Sequence, residues 1–168
     1  GEPIGEPAEP GLPRVHASIG GLVTHVEARP VAGSDTALPC VVIRGSGTDE
    51  RTDERWTGYA PDANAGNRPA GDLRERIAAA GIIGLGGALF PTARKLAMAA
   101  DAPVLLLNGA ECEPYVSCDD VLMRERADLV VAGGRLLLAA IGARRCIIAV
   151  KNNMPEARVA LYNALQSA

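Results

Sequence analysis

Three glycines, Gly84, Gly86 and Gly87, fall within four residues of one another in the stretch Gly81 to Lys95, Gly-Ile-Ile-Gly-Leu-Gly-Gly-Ala-Leu-Phe-Pro-Thr-Ala-Arg-Lys. Glycine has no Cβ, so it reaches backbone angles barred to other residues and lets a ligand approach the main chain. Pro91 suits the first position of a helix, where its missing N–H costs nothing, and Thr92 to Ala100 reads as that helix. A glycine loop running into a helix N-terminus offers unpaired N–H groups and the positive end of a dipole. The chemistry this supports is anion binding, most often of phosphate. Lys95, about one turn in, adds a full charge. A P-loop is excluded, because no Gly-Lys pair exists. The dinucleotide fingerprint is excluded too: counting from Gly84, its last glycine would be Leu89. The alternative is a glycine turn that only lets two helices pack closely.

A second cluster follows. Val104 to Leu107 is a short apolar strand, and it runs into Asn108-Gly-Ala-Glu-Cys-Glu-Pro-Tyr115. Two carboxylates, an amide and a phenol just past a strand's C-terminal end stand where α/β sheets bind ligands. The alternative for Glu111 and Glu113 is a solvated loop pair. Together, the two clusters resemble the FMN-binding domain shared by the flavin subunit of respiratory complex I and the C subunit of the Rnf (Rsx) electron-transport complexes. The segment Asn108 to Tyr115, followed by Cys118-Asp-Asp-Val-Leu-Met-Arg-Glu-Arg126, is similar to the Rnf branch. The resemblance extends over nearly the whole chain.

That resemblance implies an α/β fold: the N-terminal half of a parallel-sheet FMN-binding domain, preceded by a small β barrel-sandwich-like lobe. It implies that Gly84, Gly86 and Gly87 bring N–H groups to the FMN phosphate with Lys95 beside it. Asn108 and Glu111 would face the flavin. Where complex I carries a further Asp, this chain has Ala110. Phe90, Glu113 and Tyr115 match positions that receive NADH. The implied activity is an NADH-oxidising subunit that passes electrons through FMN to iron–sulfur clusters. Those 4Fe-4S clusters belong to a C-terminal region outside this sequence. The implied partners are the other subunits of a membrane ion-translocating complex, at the cytoplasmic face of a bacterial inner membrane. This piece by itself is expected to bind FMN weakly at best and not to oxidise NADH. The rival readings are a non-catalytic assembly fragment, and a phosphate-ligand enzyme using the same loop.

Composition narrows the classes. A net charge of −3 over 168 residues gives no reason to expect nucleic acid. Aromatics are 3%, so the core must be aliphatic. No apolar run approaches the ~18 residues of a membrane span, and no signal peptide is expected before the fold. Cys40, Cys112, Cys118 and Cys146 lack Cys-x-x-Cys spacing, which argues against zinc or an iron–sulfur cluster in this stretch. Free, mostly buried thiols are expected. Arginine outnumbers lysine fifteen to two. Each surviving lysine, Lys95 and Lys151, therefore invites a reason, since a compact ammonium suits a point contact.

The elements that must position these residues follow the chain. Residues 1–44 read as the β-rich lobe. Gly1 to Pro13 is too proline-rich for helix or central strand and reads as extended. Val15 to Glu27 suggests a hairpin turning at Gly20-Gly21, and Pro39 to Arg44 a third strand. There is no Lys before position 95, so a lipoyl- or biotinyl-type carrier role is excluded for this lobe. His16 and His25 read as core or surface histidines. Residues 45–71 read as a linker, with Trp56 and Tyr59 stapling it to a lobe. Residues 72–168 read as the α/β part. Its expected elements are a helix capped by Asp72, the Pro91 helix and strand Val104 to Leu107. A helix follows from about Asp119 to Ala127, opened by a Ser117-x-x-Asp120 capping signal. It either continues or restarts at Asp128, running to Leu138 and weakened internally by Gly133-Gly134. Strand Arg145 to Val150 follows, then a helix opened by Pro155. This order implies that the two strands pair in parallel with right-handed crossovers.

Overall fold

The computed structural model describes residues 1–47, 69–85 and 89–167. Gly86, Gly87, Trp56, Tyr59 and most of the 45–71 linker lie outside the described residues. In chain order the elements are β1 Pro3–Gly5, β2 Val15–His16, β3 Gly21–Arg29, β4 Leu38–Gly45, α1 Ala70–Ala79, α2 Thr92–Met98, β5 Val104–Gly109, α3 Cys118–Glu125, α4 Ala127–Ile141, β6 Arg145–Val150 and α5 Pro155–Gln166.

β5 and β6 pair in parallel, in unbroken register from Val104↔Arg145 to Gly109↔Val150, as the sequence implies. The connection between them is α3 and α4. α4 is the spine. One side of it joins Met123, Met154, Ala157 and Leu161 in a cluster with Ala127 and Val131. The other end joins Leu73 and Leu96 in a cluster with Ala140 and Ile141, against which Leu105 packs. α1, α2, α3 and α5 thus hang on one apolar helix, which fits a chain with almost no aromatics. Gly134 lets α4 lie close to the sheet: a Cβ there would meet Leu107 Cδ1 at 3.1 Å. The opposite sheet face presents the register partners Leu106 and Ile147, which are 60% and 42% exposed.

Several local expectations are corrected. Val15 to Glu27 is not a hairpin. β2 pairs with β1 instead, and β3 pairs antiparallel with β4 over eight residues. The longer ladder wins because Val23, Val26 and Ala28 oppose Ile43, Val41 and Pro39, an apolar cross-strand face that Val15 to Ile19 does not match. The β strands form separate two-stranded ladders, with no closed sheet among the described residues. α1 is capped by Pro69, not Asp72, which sits in the first turn. Pro91 is the N-cap of α2 rather than its first residue, and α2 stops at Met98. Asp101, at φ 65°, then turns the chain and donates its N–H to Ile141 O at 2.8 Å. Of the two alternatives for the next helix the restart holds, one residue earlier than Asp128: α3 and α4 are separate, broken at Arg126. Pro155 does open α5 as its first residue.

The N-terminal segment lies against the α/β part. Arg14 N donates to Ala78 O at 3.3 Å, and Glu9 pairs with Arg94 at 4.0 Å. Gly81, at φ 71°, has Arg14 O only 2.7 Å from where a Cβ would stand, and His16 Nδ1 at 3.0 Å. No side chain fits there, so the glycine loop begins at a crossing that requires glycine.

Candidate functional site

The glycine loop is closed at its base. Ile83 and Pro91 form an antiparallel bridge, Gly84 N donates to Phe90 O at 2.9 Å, and Thr92 N donates to Ile82 O at 3.1 Å. The N–H of Gly84 is therefore spent on the loop itself in this conformation. Leu89 is left-handed, at φ 47°, which is uncommon for a residue with a Cβ. Phe90 and Lys95 are exposed. The Lys95 ammonium has no hydrogen-bond or ion-pair partner among the described residues.

The second cluster is built at the end of β5. Gly109 is buried where a Cβ would stand 2.6 Å from Met123 Sδ and 3.0 Å from Ala149 O, so the strand exit approaches α3 and β6 closely. Asn108 Oδ1 accepts from Ala110 N at 3.1 Å and turns the chain. Glu111 then points inward. It is 7% exposed, and it is the buried charged residue among those described. Its Oε1 accepts from Cys118 Sγ at 3.1 Å and from Asp119 N at 3.2 Å. Its Oε2 is buried without a partner among the described residues. The solvated-pair alternative therefore fails for Glu111, while Glu113 is exposed. Tyr115 is fully exposed and left-handed, at φ 64°. Backbone strain in residues with a Cβ tends to gather at ligand sites. Among the described residues, two of the three of this kind, Leu89 and Tyr115, lie in the two candidate segments.

Hydrogen bonds, not an opposite charge, hold the Glu111 carboxylate. Burial pushes the Glu111 carboxyl up. The Cys118 thiol and the amides of Asp119, Asp120 and Cys118 outweigh that and hold it below the usual glutamate range. Conversely, the bond to Glu111, burial and the charges of Glu111 and Asp119 push the Cys118 thiol up. Ser117 makes no side-chain cap; Glu111, reaching across from the loop after β5, performs that role for α3. Asp120 pairs with Arg124 at 3.4 Å instead. Glu111, Cys118 and Asp119 each offer one ligand atom within 4.8 Å of the others. With the thiol protonated and donating, the group is a hydrogen-bonded helix cap rather than a set of free metal ligands.

Sequence reasoning missed two parts. Cys118 and Asp119 meet Glu111, with no motif to announce it. Lys151 Nζ donates to Glu111 O at 2.9 Å; the scarcity of lysine marks the residue but not its partner. The thiols are also more open than expected: Cys112 and Cys118 are exposed, Cys40 and Cys146 half-buried. The first two lie on the strand exit and helix start, outside the α4 core. An open groove of about 650 Å³ runs along α3 beside this cluster, lined by Val116, Cys118, Leu122 and Arg126. No helix among the described residues is long and apolar enough to cross a membrane.

Residues 77–168 match the Nuo51 FMN-binding domain family. Curated relatives are the C subunits of ion-translocating oxidoreductase complexes. The protein from Haemophilus influenzae is 41% identical over 83% of this chain and 18% of its own length. That from Rhodobacter capsulatus is 36% identical over 97% and 31%, and that from Pseudomonas aeruginosa 44% identical over 90% and 19%. The chain thus spans a fifth to a third of the length of these relatives. Among solved structures, an NAD+-reducing NiFe-hydrogenase in the air-oxidized state is similar, with a TM-score of 0.54 and 28% identity over 66% of this chain and 21% of that one.

Proposed function

The chain belongs to the Nuo51 FMN-binding domain family, and on that premise we propose that it forms the flavin-holding part of an oxidoreductase subunit in an ion-translocating electron-transport complex. The observation that carries this reading is the Glu111 carboxylate. It is buried at the C-terminal end of a parallel strand, charged, and left with one oxygen lacking a donor among the described residues. A buried acceptor of this kind is costly unless something donates to it. FMN brings donors suited to that task, the ring N–H and the ribityl O–H groups.

In this reading the loop containing Gly84, Gly86 and Gly87 cradles the FMN phosphate and Lys95 neutralises it. Gly84 closes the base of that loop. Asn108 uses Oδ1 to shape the turn, which leaves its amide N–H₂ to donate to the cofactor. Glu111 stands beside the cofactor, and its Oε2, covered in this conformation, is the oxygen left to accept from it. When bound, FMN supplies the conversion between two-electron hydride chemistry and one-electron transfer. Phe90, Glu113 and Tyr115 are exposed and form the NADH side, Phe90 by stacking and Glu113 by accepting hydrogen bonds. The electrons pass to iron–sulfur clusters outside this sequence. The whole protein is peripheral, at the cytoplasmic face of a bacterial inner membrane, with the other subunits of its complex as partners. Residues 1–44 form a structural lobe, 45–71 a linker and 72–168 the flavin unit.

Titration of FMN into the protein, followed by flavin fluorescence, tests the reading. Saturable binding is expected, and Lys95→Ala should weaken it by about 1–3 kcal/mol, the range for losing a hydrogen bond to a charged group. Absence of saturation at millimolar FMN, or equal affinity in Lys95→Ala, contradicts the assignment.

A further inference from the structure

We propose that Lys151 is a positioning residue for the segment Ala110–Glu113, holding from β6 the backbone of the residue whose carboxylate faces the cofactor. The proposal rests on the flavin reading for its functional consequence, but its geometric basis is independent. Val150 ends β6 and pairs in register with Gly109, the last residue of β5. Lys151 therefore leaves its strand level with Ala110. Its ammonium crosses to Glu111 O at 2.9 Å, a contact spanning 40 residues of sequence.

Glu111 is thereby held at two points. β6 holds its carbonyl through Lys151, and α3 holds its Oε1 through Cys118 and Asp119. The strand exit before it is fixed by Gly109, whose surroundings leave no room for a Cβ. With all three constraints, Oε2 has one direction. Without Lys151, the carbonyl loses its donor and the peptide between Ala110 and Cys112 can rotate, carrying the carboxylate with it. A point ammonium on a flexible stem fits a single carbonyl better than a planar guanidinium does. That explains a lysine here in a chain that otherwise uses arginine almost throughout.

The test compares the protein with its Lys151→Met and Lys151→Arg variants, in three readouts. These are FMN affinity, the rate at which a thiol reagent labels Cys118 as resolved by peptide mass, and the thermal midpoint. For Lys151→Met we expect FMN affinity to fall about tenfold, the scale of one lost hydrogen bond to a charged group. Cys118 labelling should accelerate, because the thiol's bond to Glu111 loosens, while the thermal midpoint stays nearly unchanged. Lys151→Arg should recover part of both effects, because it keeps a charged donor. Unchanged affinity together with unchanged labelling in Lys151→Met overturns the proposal. So does a loss of affinity that simply tracks a large fall in thermal midpoint and is not relieved in Lys151→Arg. If the parent protein binds no FMN, the flavin reading fails and the labelling rate decides the positioning role: acceleration sustains it and an unchanged rate ends it.

Discussion

Glu111 and Cys118 are a coupled pair. Burial raises the carboxyl, but the hydrogen bonds it accepts outweigh that and leave it below its usual range. The thiol is raised above its own range by its bond to Glu111, by burial and by the nearby negative charges. An exposed cysteine is ordinarily reactive in proportion to its thiolate fraction. Cys118 is exposed but held as a thiol, so it should alkylate slowly at neutral pH. Glu111→Gln removes the negative charge and weakens the bond, and Cys118 labelling should speed up several-fold, read by peptide mass. An equal or slower rate contradicts the pairing. The same carboxylate makes the fold acid-sensitive. A group whose folded pKa is depressed stabilises the fold fully above its unfolded value, and that contribution is lost as pH falls through the folded value. Stability should therefore decline on acidification below the ordinary glutamate range. The decline should be shallower in Glu111→Gln, as followed by denaturant titration between neutral and acid pH.

At the scale of elements, α4 decides how the α/β part is built, and its two adjacent glycines are not equivalent. A Cβ on Gly133 meets nothing within 4 Å, whereas one on Gly134 meets Leu107 Cδ1 at 3.1 Å and Cys146 Sγ at 3.6 Å. Helix propensity favours alanine over glycine by about 0.5–1 kcal/mol. Gly133→Ala should deliver that gain, a rise of about 1–4 °C in thermal midpoint for a chain of this size. Gly134→Ala must push α4 from β5 or move the Leu107 methyl, and should gain less or lose stability. Equal stabilisation by both would show that α4 does not press on the sheet at Gly134. In sequence the helix is weakened equally at both positions; which glycine has a packing role is a fact about β5 and β6, not about the helix.

Across the whole molecule the two ends differ in support. β5 and β6 pack on α4, and α4 on four other helices. β3 and β4 pair chiefly with each other, and their apolar side chains Leu22, Val23, Val26 and Leu38 are exposed. A lone two-stranded hairpin is marginal in water, and local opening is easiest where few apolar contacts resist it. Amide hydrogens of β3 and β4 should therefore exchange orders of magnitude faster than those of β5 and β6, measured by peptide-resolved deuterium uptake. Equal protection would mean that the hairpin is covered by something beyond the contacts described above.

The order of elements in the α/β part, the parallel pairing of β5 with β6 and the location of both candidate segments are legible in the residues themselves. These are local properties: apolar runs of strand length, helix-period stripes, glycine and proline punctuation, and a connection long enough to cross over. The family is legible for the same reason, through residues adjacent in the chain. What pairs over distance is settled in three dimensions. The turn signal at Gly20-Gly21 is sound, but β3 finds a longer apolar partner in β4. Ser117 has the right spacing for a cap, but Glu111 reaches α3 instead, from the loop that follows β5. Glu111 and Glu113 are chemically identical and two residues apart, and only the fold buries one and exposes the other. Lys151 meets Glu111 across 40 residues. Such contacts carry no period and no spacing rule, because they depend on where two strands end in space rather than on what lies beside them in the chain.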